Sequence, residues 1–372
     1  MTRRSARLPA ALLALAAGLV LPSANPADTH RRAAALVGQL GDDDFRTREA
    51  ATDELLGLGE PALPAVLAGA NSADPEVRTR AGWLFHQLLR QAGASKSTGM
   101  TLVPVHGREF RMGSPPNEVG RRADEHPHSV RLTRAFLIGD YEVTQEEFRK
   151  VTGRAPSHFS PTGGGKGKLP KGSSDRFPVE QVTWFDAVDF CNRLSKLDGF
   201  EPYYALADER RTDGALTAAT VTVAGGPGYR LPTEAEWELA ARGRTDTAFH
   251  FGRRAATGKE GNFRSVFPGG YGGDVTVFLG RTAAVGSYPR NRAGLYDAHG
   301  NVAEWCGDWY DKDAGSGGPR TDPTGPAAGT HRAVRGGSWM SNDTSCRSAA
   351  RGSQAPGEAT YATGFRVARS PH

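Results

Sequence analysis

Three cysteines, a His-Pro-His run, a glycine-rich basic loop and a pair of serines are the groups in this 372-residue chain that could do chemistry. Cys191, Cys306 and Cys346 make no CxxC pair and no Cys/His cluster of finger spacing, which argues against a structural zinc site. In an exported chain they allow at most one internal disulfide and leave one thiol over. Glu125-His126-Pro127-His128 has the look of a metal pair, yet histidines two apart beside a proline read as strand surface. Pro161–Ser174, PTGGGKGKLPKGSS, lacks the GxxxxGK[ST] spacing of a phosphate cradle and reads as a surface loop. Ser338 and Ser341 lie in no nucleophile elbow. Trp305, Trp309 and Tyr310 read as core, with one ring left for a cleft.

The elements that must position these groups announce themselves by their caps. In Gly228–Gly243, Thr233 caps a short helix and Glu236 completes the capping box. Trp237 and Ala241 share its buried face, and Gly243 stops it. Thr144 with Glu147, and Thr183 with Asp186, open two further helices, the second ending at Gly199. Met100–Val105, Glu109–Met112 and Ala135–Ile138 read as strands, and Glu201–Gly228 as an insertion with a small hairpin around Thr220–Val223. Beyond Gly261 aromatics, glycines and polar residues alternate, the pattern of an irregular α+β domain with buried polar networks.

Residues 28–92 are different: Ala-, Leu- and Arg-rich and helical. Phe45-Arg-Thr-Arg-Glu-Ala50 recurs as Val77-Arg-Thr-Arg-Ala-Gly82 at an offset of 32. That period is similar to HEAT-type helical repeats, and a plain helical hairpin fits equally well. Residues 93–99 have linker composition. Arg3, Arg4 and Arg7 ahead of the apolar run Ala10–Leu21 make residues 1–27 an export signal, which places the mature protein in the periplasm or outside the cell. Losing those three arginines lowers the net charge from +5 to +2, so nucleic acid is not an expected partner, and no membrane association is expected after cleavage.

Four ordered stretches then carry a family resemblance: Gly139-Asp-Tyr-Glu-Val-Thr144, Arg230–Gly243, Gly294–Tyr310 and Val334–Ala368. Over residues 100–370 the chain resembles the formylglycine-generating enzyme, or sulfatase-modifying-factor, family. The resemblance implies an α+β domain of irregular, C-type-lectin-like fold. Active members oxidise a substrate cysteine to formylglycine with copper(I), held by two thiolates five residues apart, because soft sulfur selects copper(I). Here Ser341 stands at the first of those positions and Cys346 at the second, or Cys346 is a structural cysteine ahead of the Ala-Ala-Arg run. Ser338 matches a cleft serine, and Ala303 replaces a cleft tryptophan. Copper oxidation is therefore not expected, and Cys346 with Ser338 are the candidates for any residual catalysis.

The resemblance also implies calcium sites built from hard oxygens. Asp297, Gly300, Val302 and Glu304 match one; the alternative is an Asp/Asn-rich turn with Glu304 in a buried hydrogen-bond network. Asn262, the Phe263 carbonyl, Asp274 and Phe278 are candidates for a second, with altered spacing. Motifs that meet in the core imply a Cys306–Cys346 disulfide. Three functions follow: a calcium-stabilised binding or scaffolding module whose unknown protein or peptide partner docks on the helices or the cleft, a sulfatase-maturing oxidase, or an iron oxidative enzyme, against which the dispersed histidines count.

Overall fold

The computed structural model describes residues 26–252, 259–264 and 278–371. The expected export signal lies outside the described residues except for Pro26 and Ala27, which open the first helix. Four helices form the N-terminal module: α1 (Pro26–Gln39), α2 (Phe45–Leu58), α3 (Leu63–Gly69) and α4 (Pro75–Gln91). Asp44 caps α2 by accepting from the Arg46 and Thr47 N–H, and Asp74 caps α4 by accepting from those of Glu76 and Val77. Arg48 Nη1 then donates to the carbonyls of Asp42 and Asp43, and Arg78 Nη1 to those of Ser72 and Ala73. The same cap and clamp therefore occur twice, at an offset of 30 (Asp44 to Asp74) rather than the 32 of the matching letters. The module buries its own core, including Leu40, Leu55, Val66, Leu84 and Leu88.

Despite its linker composition, the 93–99 stretch is a folded turn. Ser95 N–H donates to Met100 O at 2.9 Å, and Ser97 N–H to the Asp198 carboxylate at 2.8 Å. Gly93 packs so closely under Leu102 that a Cβ would strike the Leu102 carbonyl. The helices are clasped further by Arg369, which is 1% exposed and donates from both Nη atoms to Glu60, at 2.6 and 2.7 Å.

The main domain is built on short strands: β1 (Leu102–Val105), β2 (Glu109–Met112), β3 (His128–Arg131), β4 (Phe136–Gly139), β5 (Tyr204–Thr212), β6 (Ala215–Val223), β7 (Tyr229–Arg230), β8 (Ala303–Trp309), β9 (Arg320–Thr321), β10 (Arg332–Arg335), β11 (Arg351–Gln354), β12 (Thr363–Gly364) and β13 (Ala368–Arg369). They form sheets of order β1-β4-β13-β7, β11-β10-β8-β12 and β2-β3-β9, plus the β5–β6 hairpin. That hairpin fills most of the 201–228 insertion and is longer than the small one expected. Its turn is Asp213-Gly214, both with positive φ (48° and 78°), the two-residue connection whose twist suits paired strands.

Helices α5 (Gln145–Thr152), α6 (Trp184–Asp198) and α7 (Glu234–Arg242) each begin with the expected capping box and end at left-handed Gly153, Gly199 and Gly243. Phe148, Phe190 and Phe365 meet in the largest core, with Trp184 and Trp305. Buried arginines stitch the remainder: Arg335 to Glu234 and Glu238, Arg347 to Glu125, Arg351 to Glu234 and Arg366 to Glu304. Arg332 lies between the rings of Trp184 and Trp309, 3.7 and 3.4 Å from their centroids.

The Glu60–Arg369 pair predicts how firmly the module is held. Glu60→Gln should cost about 2 kcal/mol in urea unfolding, the worth of a charged, mostly buried hydrogen-bonded pair. It should also speed tryptic cleavage at Arg90 or Lys96; unchanged stability and cleavage would show that the clasp is not energetic.

Candidate functional site

The Gly336-Gly337-Ser338 turn follows β10 with φ of 86° and 67° at its glycines. A Cβ on Gly337 would come within 2.5 Å of Cys346 Sγ, so only glycine lets the turn close over that sulfur. Beyond the turn, Ser341 N–H donates to Ser338 O (2.9 Å) and Ser338 N–H donates to Ser341 Oγ (3.0 Å). The two hydroxyls lie 3.1 Å apart. Ser341 is thus a turn-closing residue whose oxygen is already engaged. Cys346 is fully buried among Ala248, Phe249 and Phe263, and burial pushes its thiol pKa up. A hard hydroxyl and a protonated, buried thiol do not make a copper(I) site.

All three cysteines are free and buried. The expected Cys306–Cys346 disulfide is not formed, because the two thiols occupy different cores. Cys306 packs with Trp237 and Ala298, whereas Cys346 lies under the Gly-Gly-Ser turn, and Cys191 sits on α6 in the large aromatic core.

Outside the turn the surface is aromatic. Trp339 Nε1 donates to Tyr361 O at 3.1 Å, and its ring meets Phe159 edge-on at 5.4 Å. Phe278 stacks on Trp339 at 6.0 Å, and His158 lies 5.2 Å from Tyr361. Phe278 is 46% exposed, Met340 46% and Tyr361 40%, an apolar rim flanked by Lys168 over Trp339 and Arg264 over Phe278. Below the rim, Glu180 accepts from the His158 and Phe159 N–H, both at 2.9 Å. Burial pushes its carboxyl up to about 7 despite those two donors. Glu180 is not singled out by the sequence, and Phe278 only as a candidate for the second calcium site; an acidic residue framed by Val179 and Val182 is the available signal for the first.

The expected calcium loop lies against this turn, since Gly300 N–H donates to Gly336 O at 2.8 Å and Trp339 N–H to Asn301 O at 2.8 Å. Asp297 adopts φ 55° and accepts from Gly286 N–H at 2.7 Å through Oδ2, while its buried Oδ1 has no donor. Desolvation holds its carboxyl at about 6. Val302 is fully buried, and Glu304 is held by Arg366 Nε and Nη2, both at 2.6 Å, and by Trp237 Nε1 at 2.7 Å. Of these two carboxylates, only Asp297 therefore keeps an oxygen free for a hard cation. For the second set, Asn262 donates to Arg281 O and Asn301 Oδ1, Phe263 packs beside Cys346, and Asp274 lies outside the described residues. Among the described residues no group of three or more His, Cys, Asp or Glu side chains is arranged to hold a metal. His128 Nδ1 points at His126 O, 2.8 Å away, rather than at a shared centre.

Comparison with known proteins matches residues 88–371 to the sulfatase-modifying factor enzyme 1-like domain. A formylglycine-generating enzyme of Streptomyces coelicolor is 42% identical over 296 residues, 72% of this chain and 88% of that protein. A chaperone protein, LppX, of Paenibacillus barcinonensis is 32% identical over 220 residues, 56% of this chain and 70% of that one. Among solved structures, Treponema denticola variable protein 1 superposes with a TM-score of 0.60 at 31% identity, covering 75% of this chain and 98% of that one.

Glu180 gives a signed pH prediction. Its folded pKa, about 7, lies above the ordinary 4.5, so the native state binds the proton more tightly. That stability is full below about pH 4.5 and is lost as pH rises through 7, up to roughly 3 kcal/mol. Glu180→Gln should flatten the unfolding free energy across that window relative to wild type; an identical pH slope would refute the assignment.

Proposed function

The chain belongs to the sulfatase-modifying factor enzyme 1-like domain family, and we propose that it is an exported, calcium-supported member that binds polypeptide in the family cleft without copper chemistry. The observation that carries this reading is Ser341. It occupies the expected position of the first copper thiolate, and its hydroxyl is committed to closing the turn with Ser338. Cys346, buried behind Gly337, cannot supply both sulfurs.

What the cleft retains is a recognition surface. Exposed Phe278, Met340 and Tyr361 around Trp339 offer desolvation energy to an apolar side chain, and extended peptide supplies such side chains together with backbone groups. A relative being named a chaperone supports a polypeptide client. The N-terminal helices extend the surface available for docking. Calcium, held through Asp297 on the loop bonded to the Gly-Gly-Ser turn, would stiffen the cleft from beneath.

The second reading is an oxidase that converts a substrate cysteine to formylglycine, and resemblance to formylglycine-generating enzymes favours it. Copper(I) titration under reducing conditions, in competition with a chromogenic chelator, separates the two. The expected result is no copper retention by wild type and no change in Cys346→Ser. Tight retention that Cys346→Ser abolishes would overturn the binding reading. In parallel, Phe278→Ala should weaken binding of a reduced, carboxymethylated test protein about tenfold, the cost of an exposed aromatic anchor. Undiminished binding would remove the cleft as the docking site.

A further inference from the structure

A cavity of about 450 Å³ is walled by the first turns of α7, the end of β8 and the segment running through β9. It shares no lining residue with the Gly-Gly-Ser turn or the aromatic rim. Asp308, on its wall, is 4% exposed. Its Oδ2 accepts from Glu234 N–H at 2.9 Å, and among the described residues no donor reaches Oδ1. Gly325, at φ 74°, closes over this side chain, and a Cβ there would come within 2.9 Å of Asp308 Cβ. A buried carboxylate that keeps one oxygen without a donor is uncommon, because the water it gives up is not replaced.

The buried positive charges around the cavity are already spent. Arg351 gives Nε and Nη2 to Glu234, at 2.6 and 2.7 Å, and Nη1 to the carbonyls of Asp124 and Asp311. Arg335 and Arg242 are bonded to Glu238, and Arg347 to Glu125. Arg320 also lines the cavity but is exposed to solvent. Asp308 and Asp124 face the same space, and among the described residues neither forms an ion pair. Asp124 is half-buried, and its Oδ2 accepts from Tyr310 Oη at 2.7 Å. Burial pushes the Asp308 carboxyl up to about 8, and the neighbouring Glu234 carboxylate adds to the shift. What the wall lacks is a cation.

Two features select its kind. Among the described residues no three His, Cys, Asp or Glu side chains are arranged to hold a metal ion, so these carboxylates are too spread for a point charge. Met112, Ala235, Ala314, Pro323 and Pro326 line the same space, and an apolar wall suits a hydrocarbon stem. We propose that the cavity binds a primary ammonium or guanidinium on an apolar stem, with Asp308 as its buried counter-ion and Asp124 as a second acceptor. This is the chemistry of a lysine or arginine side chain and equally of a free alkylamine. A charge-assisted N–H bond from it satisfies Oδ1 of Asp308. Such a cation also favours the ionised carboxyl, so ligand and proton compete for Asp308. The site stands apart from the reading of the Gly-Gly-Ser cleft, and either can fail without the other.

Calorimetric titration of the full chain with n-pentylammonium and with Nα-acetyl-lysine N-methylamide, and with n-pentanol as the neutral control, tests this. At least one of the cations should bind, and pentanol should not. Asp308→Asn keeps an acceptor for Glu234 N–H, so it should melt at or above the wild-type temperature while binding the cation about tenfold more weakly. Should that variant not fold, Asp124→Asn carries the same test, with a severalfold loss expected. Glu358→Gln, which removes an exposed charge elsewhere, should match wild type. From pH 6 to pH 9 the wild-type affinity should rise by about tenfold or more as Asp308 releases its proton. In Asp308→Asn the rise should shrink to whatever His126 and His128, which also line the cavity, contribute. Tighter binding of the blocked lysine assigns a polypeptide side chain as the occupant; tighter or equal binding of pentylammonium assigns a free amine. Binding of neither cation, equal binding of pentanol, or unchanged affinity in folded Asp308→Asn overturns the proposal.

Discussion

The buried pairing of Arg366 with Glu304 is the interaction on which the main domain's interior depends. Neither side chain is exposed to solvent, and the guanidinium reaches beyond the carboxylate to Gly139 O and Tyr296 O. One side chain therefore fixes three segments remote in sequence: the end of β4, the turn before β8 and the stretch between β12 and β13. Desolvating such a pair is costly, and its return is specificity as much as stability. Trp237 Nε1 on the same carboxylate brings α7 into this arrangement, so the helix most heavily specified in the sequence is also bonded to the central ion pair.

Local devices were legible in the sequence and distant ones were not. The capping boxes at Thr144, Thr183 and Thr233 bring partners three residues apart together, and the structure has all three. The family frame was equally readable, because its four stretches occur in order. The ion pairs join residues such as Arg347 and Glu125, 222 positions apart, and no periodicity reveals such a partnership. The same holds for the thiols, whose motifs meet near the core yet in separate compartments. The helical repeat shows a subtler failure. Matching letters placed its copies 32 apart, whereas the caps, which carry the physics, recur at 30. Asp213-Gly214 was a plain hairpin signal obscured by charged neighbours.

The Gly-Gly-Ser site separates scaffold from chemistry. The Gly-Gly-Ser turn, its bond to Gly300 and the aromatic wall are a frame that positions whatever lies between them. That frame persists when the residue at 341 is a hydroxyl closing its own turn rather than a ligand. Shape and reactivity are thus set by different residues, and the family's architecture can remain complete while a single side chain changes what it can do.

Strand β13 sits between β4 and β7, and its Arg369 also grips Glu60 in the helical module. On a ribosome, its pairing partners Arg230 and Ile138 emerge 138 and 230 residues before Ala368 does. Until residues 363–369 arrive, β4 is paired with β1 alone, Glu304 lacks its counter-ion and Glu60 lacks the arginine that clasps it. A chain that stopped short of residue 363 would fail at all three places together. Closure of the domain is thereby coupled to the emergence of residues 363–369, and a chain broken before them would present itself to proteases as unfinished.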